Sequence, residues 1–463
     1  MAKRSKFAHK ALESNNRRPL PSTVVNSVEQ DLQFHKRPLA YNSALELEEN
    51  LALIGWALRT WLGFTSSFKF QANTGDAERN ALLEAHVAER TRARYCDVQR
   101  SASLWQMLRA YAGLRFLFGH SLILKAQGGK LQHIEGWQIA KGKDAPKEVN
   151  SAGLVLSPDG FAIDKFALCK GPSTGDLTHW TLADWTDCIF DKFCMRPSAF
   201  LGVSPLLPAM DTARYYMSAS EFYWFKIKIA SMFGLAVYGD DATSGSLGFQ
   251  YATAGQTPDT KTAATKKPLQ FDLRPGLKLH LNKDSRAEFL ESKSPPAEFL
   301  AFAKHSIRLI LSTFNLPYSL FDSEASNYSS MRGDFNLFKQ SCLEERDKNQ
   351  QAGHDALEHL LKYDDAAGTL PKGLKFDAID WELVPTATFI LDAGKEVDAI
   401  TKKIAIGACT YDDAARELGS LRSHADNIRI QAEELAAAAA ANVPLLRGVN
   451  PGAAEAGPNK GEP

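Results

Sequence analysis

Pro295-Pro296-Ala297-Glu298-Phe299 opens a segment that Leu316-Pro317-Tyr318-Ser319-Leu320-Phe321 closes, and Asn327-Tyr328-Ser329-Ser330-Met331-Arg332 follows it. Between the two proline signals the spacing is helical. Phe299, Phe302, Ala303, Ser306, Ile307, Ile310, Leu311 and Phe314 form one apolar stripe, while Lys304 and Arg308 share the other face one turn apart. Residues 296–315 thus predict a helix roughly 30 Å long at 1.5 Å per residue. Pro317 ends it, and the polar stretch Ser319 to Ser330 leads into a further helix carrying Phe335, Phe338 and Cys342.

Working outward, Gly202-Val203-Ser204-Pro205 predicts the start of another long helix, with Ser204 as cap and Pro205 in the first turn. It is expected to run to Phe233 and is rich in rings: Tyr215, Tyr216, Phe222, Tyr223, Trp224 and Phe225. Such rings could stack nucleobases, but anchors in a core or subunit interface are the more economical reading. Residues 239–267 are rich in Gly, Ser, Thr and Ala and read as an exposed excursion, followed by two short strands, 269–273 and 277–281.

The first 200 residues read as an α+β unit. Leu45, Leu47, Leu51, Ile54, Trp56, Leu58 and Leu62 predict a helix from Ser43 to Phe64, capped by Asn42 or Ser43. A second helical region covers Ala77 to Phe118. Short apolar runs at 121–126, 131–139, 153–156 and 162–168, with turns at Gly128-Gly129 and Pro158-Asp159-Gly160, predict a small antiparallel sheet. C-terminal helices are expected at 392–406, 411–418 and 424–440.

Composition bounds the function. The 463 residues suggest two to four packed units, and 54 Lys+Arg against 54 Asp+Glu give no global pull towards nucleic acid. Residues 1–37 are the local exception, with Lys3, Arg4, Lys6, Lys10, Arg17, Arg18, Lys36 and Arg37 against Glu13, Glu29 and Asp31. That arm is either a solvated tail or a contact for nucleic acid or a neighbouring subunit. Six scattered cysteines without a C-x-x-C pair, and a polar N-terminus without an apolar signal region, predict a reduced intracellular setting. The apolar stretch 51–64 contains Arg59 and is too short to span a bilayer, so no membrane role is expected.

Catalytic signatures are missing where they would be needed. The Gly-Lys pairs precede Leu131, Asp144 and Glu396, so no Walker A loop exists to hold a nucleotide. Gly202-Val203-Ser204-Pro205-Leu206 lacks the second glycine of a nucleophile elbow. His354 and His359, with Glu358 between them, lie five apart and so on different helix faces, unlike zinc-protease ligands. Cys188 and Cys194 have no matching second pair. The expectation is a binding or conduit protein with no catalytic residues, metal or cofactor.

Three stretches together resemble the lambda-type portal proteins of tailed bacteriophages. Met195-Arg196-Pro197-Ser198-Ala199-Phe200-Leu201-Gly202-Val203-Ser204-Pro205 is similar to the family's R-P-x-Q-x-R-G-V-S/P entry into a helix, with Ala199 and Leu201 in place of Gln and Arg. Residues 295–332 resemble its helix, Leu/Val-Pro-Tyr turn and Asn-Tyr-Ser-Ser-x-Arg opening. Leu391-Asp392-Ala393-Gly394-Lys395-Glu396 with Gly407-Ala408-Cys409-Thr410 resembles its D-P-x-K-E … G-x-x-T, with Ala393 for Pro. The resemblance covers about residues 40–435.

It implies an α+β, mainly α portal fold assembling as a ring of about twelve subunits. The implied parts are a basic arm (1–40), wing (41–204), first stem helix (205–234), clip (235–293), second stem helix (294–316), tunnel loop (317–331), linking helix (332–362), crown (363–435) and disordered tail (436–463). The tunnel loop would face double-stranded DNA, bound without sequence specificity, through Ser323, Glu324, Ser326, Asn327, Tyr328, Ser329, Ser330 and Arg332. Lys304 and Arg308 would form the polar face of the stem. Implied partners are the terminase large subunit, a head–tail adaptor and the major capsid or scaffold protein. The implied location is the portal vertex of the virion, and the host cytoplasm during assembly. Another head-completion or connector ring is the alternative, expected to lack the Asn-Tyr-Ser-Ser-x-Arg loop between two helices.

A conduit must not grip its polymer, because every neutralised phosphate adds affinity. The stretch 323–330 is small, polar and slightly acidic, which suits sliding, and a ring multiplies each such charge. Arg332, placed in the first turn of the following helix, is expected to need an acidic partner against the helix dipole: Asp322 or a neighbouring subunit's carboxylate.

Overall fold

A computed structural model describes residues 36–173, 176–194, 196–197, 199–232, 236–239, 285–288, 297–322, 327–386, 393–420 and 422–440. The chain divides into two compact units, one comprising residues up to Pro208 and from Leu311 onward, the other Ala209–Ile310. The fold is mainly helical with small antiparallel sheets.

Unit 1 begins with α1 (Lys36–Asn50) and α2 (Ala52–Thr65). The expected single helix from Ser43 starts earlier and is interrupted at Leu51, whose extended backbone (φ −109°, ψ 99°) restarts the ladder. Arg37 and Tyr41, lying before the anticipated cap, are buried, so packing extends the helix N-terminally; residues 36–40 are therefore helix rather than arm. β1 (Phe68–Ala72) follows, then α3 (Ala77–Arg90), the single turn α4 (Ala93–Cys96) and α5 (Leu104–Phe118). The helical region expected as one is broken at 97–103, where the Asp97 carboxylate accepts the backbone N–H groups of Gln99, Ser101 and Ala102. Ser103 and Gln106 form a reciprocal capping box that starts α5, and Gly119 at φ +87° ends it.

The strands are β2 (His120–Ala126), β3 (Lys130–Ile134), β4 (Leu154–Leu156), β5 (Ile163–Cys169), β6 (Trp180–Asp184) and β7 (Cys188–Lys192). They form two sheets, β3-β2-β7 and β4-β5-β6. The expected strand over 131–139 stops at Ile134, because the chain enters a 3₁₀ turn at Gly136–Gln138 closed by its own capping box. The β3-β2-β7 sheet is buried on both faces. Ile123, Leu131 and Ile189 join the helical core, whereas Leu122, Ile134 and Cys188 join a second core with Leu154, Phe166, Leu168 and Leu201. Continuous burial replaces alternation in such a strand, as β2 shows.

Unit 2 holds α6 (Met210–Met232), the antiparallel strands β8 (Ala236–Gly239) and β9 (Ser285–Glu288), and most of α7 (Ala297–Ser312). The helix expected from Pro205 starts at Met210. Pro208 lacks an N–H and disfavours helix at Leu207, so 207–209 form a 3₁₀ turn. The expected strands 269–273 and 277–281 and the excursion 239–267 lie outside the described residues, apart from Gly239 at the end of β8.

Unit 1 resumes with the short α8 (Tyr318–Phe321) and the 39-residue α9 (Tyr328–Ala366), about 58 Å long at 1.5 Å per residue. β10 (Trp381–Pro385) pairs antiparallel with β1, Phe68 opposite Pro385 and Ala72 opposite Trp381. α10 (Ala393–Ala405), α11 (Tyr411–Glu417) and α12 (His424–Ala440) complete it. Residues 436–440, expected in the tail, thus continue a helix. Among the described residues, no helix is long and apolar enough to cross a membrane.

Candidate functional site

The polar stretch between α8 and α9 is held at both margins. Pro317 starts α8, and its Tyr318 hydroxyl donates to Asp322 Oδ2 at 3.0 Å. Asn327 caps α9, accepting the Ser330 N–H at 2.8 Å. The Ser319 hydroxyl donates to Asp334 Oδ2 at 2.8 Å, which ties α8 directly to α9. The Phe321 ring meets Trp56 edge-on at 5.6 Å.

Ser323, Glu324 and Ser326 lie outside the described residues. Asn327, Ser329 and Ser330 are exposed and Arg332 is half-buried, all at or inside the start of α9, while Tyr328 supplies its first residue. Arg332 is the fifth residue of α9 rather than part of the first turn, so the dipole penalty expected for it has largely faded. No ion pair joins it to Asp322 among the described residues. The tie between Ser319 and Asp334 had no counterpart in the sequence reading, since two polar residues fifteen apart carry no periodic signal.

Unit 2 presents an unusual amount of apolar surface. On α6, Tyr215 is 70% exposed, Phe222 75%, Trp224 69% and Phe225 60%. Tyr223 stacks on Phe299 of α7 at 4.2 Å. Of the expected stripe, Ser306, Ile307, Ile310, Leu311 and Phe314 are buried and Phe302 is exposed; Leu300 and Leu309, outside that stripe, are exposed as well. Lys304 is half-buried and Arg308 exposed.

His354 does not meet His359. Its ring stacks on Trp381 at 4.3 Å, and its nitrogens come within 4.8 Å of the Asp355 and Glu358 carboxylates. Both acids already have partners, Asp355 accepting from Gln351 at 2.8 Å and Glu358 from Lys362 at 2.5 Å. His359 lines a groove with Lys125, Asp355, Glu358, Lys362 and Tyr363. The Cys188 thiol is pushed up to about 12 by burial, whereas Cys194 is exposed, and all six cysteines are free. A thiol so hard to ionise is a poor metal ligand.

The profile of the phage portal proteins, lambda family, matches residues 33–346. This chain belongs to that family and is a phage portal protein. The match includes the stretches around Gly202 and Asn327 and stops before residues 391–410. Similar solved chains come from gene transfer agent (GTA) particles. One is from the virion of the native particle (14% identity, TM-score 0.49, 82% of this chain and 93% of that one). Another is from the neck of an empty particle computed with C6 symmetry (14%, 0.48, 81% and 93%). A third is from the neck of a native particle computed with C12 symmetry (13%, 0.44, 82% and 93%). Among curated proteins, none matches.

Proposed function

We propose that this portal protein forms a ring of about twelve copies at a capsid vertex, the conduit through which double-stranded DNA is packaged and ejected. The observation that carries the assembly is the aromatic surface of unit 2. Four large side chains more than half exposed on one helix exceed what a solitary soluble chain ordinarily leaves bare, and a ring would cover such a surface with the same chain's neighbour. Trp224→Ala and Phe302→Arg should each shift the protein from rings towards smaller species in light scattering. Unchanged size in both variants would remove this helix pair from the interface.

The tunnel role is assigned to Ser323, Glu324, Ser326, Asn327, Tyr328, Ser329, Ser330 and Arg332, supported by the family motif and by the ties that hold α8 and α9 together. Roughly 24 Å of α7 would face about 14 phosphates at one charge per ~1.7 Å of duplex. Lys304 and Arg308 on its polar face would then be the cations nearest the polymer. The protein acts as a conduit without catalytic residues or cofactors, and the terminase large subunit, head–tail adaptor and capsid or scaffold protein are its docking partners. It resides in the virion, reached from the host cytoplasm during assembly. The deciding experiment replaces Glu324 and Asn327 with lysine, adding two rings of positive charge. Packaging should stall in procapsids carrying normal rings; packaging at the wild-type rate and salt dependence would show that the loop does not face DNA.

A further inference from the structure

The chain leaves unit 1 at Pro208 and re-enters it at Leu311, and within unit 1 both crossings are fastened to one residue, Phe116, in the last turn of α5. On the outgoing side, the Ser204 hydroxyl donates to the Phe116 carbonyl at 3.0 Å and accepts the Leu206 N–H at 3.1 Å. Leu201 and Leu206 are buried around it. The approach is backbone on backbone: the Phe193 N–H donates to Gly119 O at 2.7 Å and the Val203 N–H to Phe193 O at 3.0 Å. A side chain on Gly202 would overlap the Gly119 carbonyl.

On the incoming side, the Phe314 ring stacks on the Phe116 ring at 4.5 Å, 13° from parallel. α7 ends there in a Schellman turn, with Asn315 at φ +55°, its N–H on Ser312 O and the Leu316 N–H on Leu311 O. Leu311, Phe314 and Leu316 are all buried. Carbonyl and ring of a single phenylalanine therefore hold the two crossings.

We infer that Phe116 is a positioning residue that couples the outgoing and incoming crossings, so that they open together rather than separately. Two independent tethers would leave each crossing free to fray by itself, as chain at unit boundaries commonly does. Here the main chain of Phe116 is engaged by one crossing and its side chain by the other, and Phe116 is itself wedged between Trp61 at 5.0 Å and Phe193 at 5.8 Å. Loosening either contact shifts the residue that the other contact needs. A load carried to the start of α6 or the end of α7 would thus reach the other crossing through one residue. The inference concerns unit 1 alone and stands whether or not the conduit reading does.

Amide hydrogen exchange on the full chain tests it, with Ser204→Ala and Phe314→Leu made separately. Ser204→Ala should speed exchange at Asn315 and Leu316, which it does not touch. Phe314→Leu should speed exchange at Leu206 and Leu207. Loss of one such contact corresponds to about fivefold, while the β1 and β10 amides should keep their wild-type rates. Acceleration confined in both variants to the substituted crossing would mean that the two anchors are independent, and the inference would fall. Ser204→Ala removes a single hydroxyl, so the test survives even if Phe314→Leu folds poorly.

Discussion

Arg115→Ala is expected to lower the stability of unit 1 by about 3–5 kcal/mol, the range for removing one partner from a buried ion pair. The Arg115 side chain is completely buried in α5. Its Nη1 pairs with Asp191 of β7, its Nη2 with Glu345 of α9 at 2.6 Å, and Nη2 also donates to Asn349 Oδ1 at 3.1 Å. Asn349 in turn donates to the Thr65 carbonyl at the end of α2 at 2.9 Å, and the guanidinium lies 4.9 Å from the Phe193 ring centre. One cation thus joins four elements of the sequence. Burial pulls its pKa down while Glu345 pulls it up. Alanine would leave Asp191 without its buried partner, while Glu345 keeps Lys348 at 3.0 Å. The denaturation midpoint should fall sharply, and Arg115→Met with Asp191→Asn and Glu345→Gln should regain a large part of it. A midpoint unchanged by Arg115→Ala would show that the network contributes nothing net.

Mild acid should also destabilise the protein strongly, between about pH 6.5 and pH 4. Burial pushes His120 down to about 3 and His133 down to about 4, from the ordinary 6.5. For His120, the nearby Arg37 and Lys192 charges add to the depression, while the Gly136 carbonyl opposes it. Both imidazoles are neutral in the fold but take up protons when unfolded. Their contribution is therefore complete above 6.5 and is lost as pH falls towards their folded values. At pH 5 each contributes a loss of about 2 kcal/mol, from 1.5 units at 1.36 kcal/mol per unit. Half-buried His359 is shifted the same way. Carboxylates held low by partners, such as Asp364 beside His86 and Arg90, titrate further down and do not confuse this window. Denaturation midpoints taken from pH 7.5 to 5 should decline steeply in the wild type and much less in His120→Gln/His133→Gln. Equal slopes would assign the acid sensitivity elsewhere.

The contrast between what the sequence disclosed and what it concealed follows from the range of the interactions. Leu104, Met107, Leu108 and Tyr111 repeat at helical spacing and are all buried in α5, so local periodicity sufficed there. The family resemblance has Asn327 open a helix, and its side chain does accept an N–H three residues away; the stretch expected as loop to Ser330 is helical from Tyr328. By contrast β1, β6, β7 and β10 went unread. β10 becomes a strand only through pairing with β1, and β7 through pairing with β2 some seventy residues earlier. Gly202 belongs to the helix-entry motif, but its reason, the Gly119 backbone pressed against it, is equally non-local. Arg115 sits among the apolar residues of α5, and only the positions of Asp191 and Glu345 in space explain how a charge can be there.

The β1–β10 pairing also orders events during synthesis. Phe68 and Phe70, both buried against the helical core once folded, belong to a strand whose one strand partner among the described residues begins at Trp381. Roughly 300 residues separate the two, which at about 5–20 residues per second is some 15–60 s of translation. Through that interval an apolar strand edge waits unpaired on the ribosome, the kind of surface that invites wrong pairing or a chaperone. A chain halted before residue 381 would carry that open edge permanently, so incomplete products should be selectively insoluble even when unit 2 has already been made.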